Sequence, residues 1–173
     1  MKVAAFTAAL FVAMTATAFD AQADGRLSGW RQNGAGGISA GTIHNWTGPN
    51  GGQLFGGRGF ATDGQGGGVF GSRGCATGNG GWACRAGGTA FDGNGNVTHG
   101  SGFAAQGPNG GWIASQGGFT RNAAGGWAGG RTTTLSGANG SYVGSSSYSS
   151  DGGYVHTGTC YDVAGNVVAC PRR

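Results

Sequence analysis

Bulky side chains in this chain flank clusters of turn-forming residues, while Gly, Ala and Ser fill the stretches between them. The clusters are GPNGG at 48–52, DGQGG at 63–67, GNGG at 78–81, DGNGN at 92–96, GPNGG at 107–111, NAAGG at 122–126, GANGS at 137–141, DGG at 151–153 and VAGN at 163–166. They recur close to every 15 residues until the spacing shortens near the C-terminus. The repeat is direct in FGGRGFAT (55–62) and FGSRGCAT (70–77), which agree at six of eight positions. Asn-Gly and Asp-Gly suit two-residue hairpin turns, because both central residues need positive φ and these residues tolerate it. The intervening segments, such as GWIASQGGFTR (111–121), carry Trp, Phe, Thr and Ile and read as strands weakened by central glycines.

This pattern predicts an all-β fold: an antiparallel β-meander of about ten short strands joined by Asn-Gly and Asp-Gly hairpin turns at a period near 15 residues, with a β-solenoid of one coil per repeat as the alternative. Reflection about the clusters favours the meander, because it places apolar residues opposite one another. The pairs are Phe60 with Phe70, Phe91 with Val97, Ala105 with Trp112, Thr120 with Trp127, Leu135 with Tyr142, Tyr148 with Tyr154 and Val163 with Val167. Such cross-strand pairs are the unit of sheet stabilisation. Long helices are excluded past the N-terminus, since an interior Gly costs about 1 kcal/mol relative to Ala and all 43 glycines lie after position 24.

Residues 1–23 have an early Lys2, an apolar run from Val3 to Met14 and a small-residue ending Ala21-Gln22-Ala23, and they read as a signal peptide cleaved after Ala23. The apolar run is shorter than the roughly 20 residues a helical span needs. The organisation expected is a signal peptide at 1–23, an N-terminal lead-in at 24–47 and a Gly-rich β-repeat domain at 48–173. The location expected is the periplasm, the extracellular space or the cell surface, with no membrane span after cleavage.

Lys2 is the only lysine and no Glu occurs, so the chain after position 23 carries nine Arg against five Asp. These charges are scattered, and no basic run marks a nucleic-acid groove. The four cysteines fit disulfides in an exported chain. Cys75 and Cys84 reflect onto each other about Asn79-Gly80 as a close non-hydrogen-bonded pair, and Cys160 and Cys170 reflect about Gly165. The pairing expected is therefore Cys75–Cys84 and Cys160–Cys170.

Catalytic and cofactor signals are weak. Gly37-Ile38-Ser39-Ala40-Gly41 fits the GxSxG pattern without its strand-turn-helix context. His44, His99 and His156 are potential bases, and Asp63, Asp92, Asp151 and Asp162 potential orienting acids, but these Asp sit in or beside turn clusters, where backbone needs explain them. Asp92, Asn94 and Asn96 mimic the start of a calcium loop, yet Val97 stands where Gly is required. No enzyme activity, metal or cofactor is expected. Trp82, Trp112 and Trp127 each stand two residues after a turn Gly and are the candidate glycan-stacking residues, since an aromatic ring offers a large contact area at low entropic cost.

At GPNGG and DGNGNVT the chain resembles the Gly-rich exported repeat proteins of proteobacteria, whose GPNG or DGNG turns join Thr/Ser-rich strands. The resemblance covers about residues 48–158 and implies fold and location only. A looser similarity to curli-type amyloid subunits rests on Gly, Asn and Ser richness. The function expected is a non-enzymatic structural or surface protein that self-associates as an envelope or matrix component, with a carbohydrate-binding module built on a tryptophan row as the alternative. Self-association follows from the edges of an open meander, which this Lys-free and Pro-poor mature chain leaves unblocked.

Overall fold

The computed structural model describes residues 24–171, so the expected signal peptide at 1–23 lies outside the described residues. Eleven strands follow in chain order: β1 (Gly25–Gln32), β2 (Ile38–Thr47), β3 (Gln53–Thr62), β4 (Gly67–Gly78), β5 (Gly81–Asp92), β6 (Val97–Gln106), β7 (Trp112–Arg121), β8 (Trp127–Gly137), β9 (Gly140–Ser149), β10 (Gly153–Tyr161) and β11 (Val167–Val168). They form one antiparallel sheet in which spatial order equals sequence order. The fold is a meander, not a solenoid, and because β1 and β11 do not meet, the sheet is open and not a barrel. Segment 24–47, set apart in the sequence as a lead-in, supplies β1 and β2 of this same sheet. Its loop at 33–37 begins with Asn33-Gly34 and keeps the spacing of 15 to the loop that begins at Gly48.

Each long strand touches only its neighbours in sequence. No second layer covers the sheet, so among the described residues the buried hydrophobic core is reduced to Cys160, at 9% exposure. Strand pairing must therefore supply what a core supplies elsewhere, and the loops that set register carry unusual weight.

Those loops differ from the two-residue turns the sequence suggests. Only Asn79-Gly80 has positive φ at both central residues, 49° and 75°. Seven loops instead span five residues, closed by a bond from the first amide to the fifth carbonyl, as in Gly48 to Gly52 at 2.7 Å and Gly107 to Gly111 at 2.8 Å. The fourth residue is a left-handed Gly in all seven, for example Gly51, Gly110 and Gly125. This is the longer hairpin loop in which a turn is followed by a left-handed glycine.

The extra residue moves three of the expected pairs. Ala105 faces Ile113, Trp112 faces Gln106, Thr120 faces Ala128, and Trp127 faces Arg121. At the C-terminus Val167 faces Tyr161, and Val163 lies in the loop. Phe60–Phe70, Phe91–Val97, Leu135–Tyr142 and Tyr148–Tyr154 are paired directly.

Asx side chains at the loop starts hold the geometry. Asp63 Oδ1 accepts from the amides of Gln65 and Gly67, and Asn33, Asp92 and Asp162 do the same in their loops. Bonds from the Asn96 side chain and the Asn94 amide hold the Asp92 carboxyl below the usual carboxylate range, and bonds from Asn166 do so for Asp162. Two disulfides join Cys75 to Cys84 and Cys160 to Cys170 and leave no free cysteine. The first links a registered pair of β4 and β5, whereas Cys160 faces Val168 and its partner lies two residues beyond. Two disulfides are compatible with an oxidising, exported location.

Candidate functional site

Side chains alternate between the two faces of a strand, so register across the whole sheet decides which residues share a face. One file of registered positions runs Trp30, Ala40, Phe60, Phe70, Thr89, His99, Phe119, Gly129, Tyr148, Tyr154. It makes an aromatic row on what we call the front face, and most of its rings stand exposed, Trp30 at 76% and Phe70 at 51%. Within the row, His99 stacks on Phe119 at 5.5 Å, and Thr89 Oγ1 lies 2.8 Å from His99 Nδ1.

The next front-face file runs Ser28, Thr42, Arg58, Ser72, Gly87, Ser101, Gly117, Arg131, Ser146, His156. Arg131 donates to Ser115 Oγ at 3.0 Å and to Ser101 Oγ at 2.7 Å, reaching across β7 at Gly117. A Cβ at Gly117 would collide with the Gly130 carbonyl oxygen and with Cα and Cβ of Arg131, so the close approach of β8 at this position requires glycine. Rings and guanidiniums together line a concavity of about 1140 Å³, whose walls include Trp30, Phe60, Phe70, Arg58, Arg85 and Arg131 and contain no carboxylate.

Between the two files, facing the back of the sheet, lies a column of eight glycines: Gly29, Gly41, Gly59, Gly71, Gly88, Gly100, Gly118 and Gly130. The central glycines that thin each strand in the sequence are thus aligned in space.

The three tryptophans singled out from the sequence do not form one row. Trp82 and Trp112 share the back face, both beside Gln106, whose Oε1 accepts from Trp82 Nε1 at 3.0 Å. Trp127 sits at the opposite end of the sheet on the front face, 6.0 Å from Tyr148. The reason is strand parity: Trp82 and Trp112 open β5 and β7, whereas Trp127 opens β8, which runs the other way. All three are exposed.

The potential catalytic residues are likewise dispersed. Ser39 lies in β2, within 3.4 Å of Asn33 Nδ2, and Asp63, Asp92 and Asp162 are engaged in their loops. His156 does meet a hydroxyl, with Ser146 Oγ 2.9 Å from Nδ1 and Tyr142 Oη 3.1 Å from Nε2. A Ser beside a His ring is the start of a nucleophilic pair. Here Ser146 lies mid-strand between Arg131 and His156, where the ladder occupies the neighbouring amides and leaves no donor pair for a developing oxyanion. Among the described residues no group of three or more His, Cys, Asp or Glu comes together, and no helix is long and apolar enough to cross a membrane. Compared with protein-family models, with curated proteins and with solved structures, the chain matches none of them.

Proposed function

We propose that this chain is an exported, non-enzymatic structural protein of the cell envelope or extracellular matrix that assembles by adding copies edge to edge. The observation that carries the reading is the single open layer with, among the described residues, two unfinished edges: the outer side of β1, and β10 from Gly153 to Thr159, where β11 covers only Cys160 and Tyr161. Unpaired strand edges are templates for further pairing, and these strands contain neither Lys nor Pro to blunt them.

Direction and charge select the join. Ten long strands alternate in direction, so β1 of a second copy placed beside β10 continues the antiparallel order. Two β1 strands pairing with each other would set Arg26 against Arg31, whereas the β10 edge from Gly153 to Thr159 contains no Asp, Glu, Lys or Arg. Continued in register, the join puts Trp30 beside Tyr154 and extends the aromatic row from copy to copy. A head-to-tail contact of this kind leaves a free edge at each end for the next copy, so assemblies grow until a ring closes.

In the same register Leu27 faces Thr157. Sedimentation velocity and light scattering of the purified disulfide-bonded chain should show growth with concentration. Leu27→Lys combined with Thr157→Lys should hold it monomeric, and Leu27→Lys combined with Thr157→Asp should restore assembly. Wild-type protein that stays monomeric, or assembly indifferent to the like-charge pair, overturns the reading.

A further inference from the structure

We infer that the front concavity is a binding site for an acidic polysaccharide with widely spaced carboxylates. The site does not require assembly. Its length argues for a polymer. Neighbouring strands lie about 4.8 Å apart, so Arg58 on β3 and Arg131 on β8 are separated by roughly 24 Å, and the aromatic row spans roughly 43 Å from Trp30 to Tyr154. No small anion meets both guanidiniums.

Its charge argues for an anion. Arg58, Arg85 and Arg131 are exposed, and no carboxylate lines the concavity with them. Arg131 is fixed by two hydroxyls, which orient the guanidinium without neutralising it and leave its charge available. Phe60 and Phe70 stand beside this charge as flat apolar surfaces for the carbon-bound hydrogens of a sugar ring.

Charge density distinguishes the polymer. A nucleic-acid strand carries a phosphate about every 3.4 Å, far more than three guanidiniums spread over roughly 24 Å can answer. A polysaccharide with an acid on only some of its sugars matches that sparse spacing, and the Ser and Thr hydroxyls between the guanidiniums suit its neutral, hydroxyl-rich units.

The test uses the purified disulfide-bonded chain and three polymers: hyaluronan, in which alternate sugars bear a carboxylate, neutral dextran, and single-stranded oligothymidylate. Saturable binding to hyaluronan is expected. Arg58→Gln with Arg131→Gln, and separately Phe60→Ala with Phe70→Ala, should each weaken it by about tenfold or more, the scale of losing charge-assisted bonds or stacking contacts. Arg73→Gln, on the back face over Phe55, should leave affinity within about twofold. Circular dichroism accompanies each variant, and if the phenylalanine pair loses its β signal, the exposed arginine pair decides alone. No hyaluronan binding, dextran binding of equal strength, tighter binding of oligothymidylate, or an equal loss on Arg73→Gln overturns the assignment.

Discussion

Gly100 and Gly118 face each other across β6 and β7 in the glycine column, yet alanine at the two sites should have opposite effects. A methyl group at Gly100 would meet nothing within 4 Å, whereas one at Gly118 would land on the His99 carbonyl oxygen. Neither glycine has positive φ, so alanine can adopt both backbone conformations. Each substitution narrows the unfolded ensemble and on that account stabilises by about 0.4–1 kcal/mol. Gly118→Ala must also push backbone aside, at a cost of about 1–3 kcal/mol. Because the unfolded-state gain is common to both, the clash alone sets the difference: Gly100→Ala should stabilise, and Gly118→Ala should lie about 1–3 kcal/mol below it. Urea unfolding at low protein concentration measures this, and hydrogen exchange of β6 and β7 amides locates it. Two variants shifted the same way within about 0.5 kcal/mol of each other would refute the reasoning, since that is the scatter of independent sites.

Replacing both Cys75 and Cys84 with Ser opens a short loop of sequence separation 9 and should cost about 2.7 kcal/mol of stability by urea unfolding, with the β-sheet circular dichroism retained. The Asp92 carboxyl titrates below its unfolded value, so its contribution is complete above pH about 4 and is lost as pH falls through the folded value. Asp92→Asn should therefore be less stable than wild type at pH 7 and indistinguishable from it in strong acid, as pH-dependent denaturation will show. Trp127→Ala removes the ring beside Tyr148 and should lose about 0.5–1.5 kcal/mol beyond its buried area, whereas Trp127→Phe should retain most of that.

The meander was legible because its punctuation is chemical. Asp, Asn and Gly mark every reversal, and symmetric reflection placed Phe60 on Phe70 and Tyr148 on Tyr154. Loop length was less legible: Asn109-Gly110 reads as a two-residue turn, but only Gly110 is left-handed, and the loop takes in the whole of Gly107–Gly111. A slip of one residue exchanges the faces of a strand, which is why the aromatic row could not be assembled pair by pair. His99 and Trp30 join that row only once every register between β1 and β10 is known. Trp127 misled for the related reason that its distance from a turn glycine says nothing about which end of the sheet the turn occupies. Arg131 carried no local signal either, since its partners Ser101 and Ser115 lie 30 and 16 residues away.

Because every strand meets only its neighbours, the molecule opens as a zipper does, from its ends. The clasp is off-centre. The β4–β5 pair is both covalently joined and the longest ladder, with twelve registered positions against eight for β1–β2. Fraying from the N-terminal side reaches the clasp after three strands, and fraying from the C-terminal side crosses β10 down to β6 first. Hydrogen exchange should accordingly slow toward Cys75 and Cys84 from both directions. Loss of β1 and β2 together exposes β3, which runs in the direction of β1. A sheet that sheds one hairpin thus presents an edge of unchanged polarity, so partial wear shortens the unit without removing its means of joining the next.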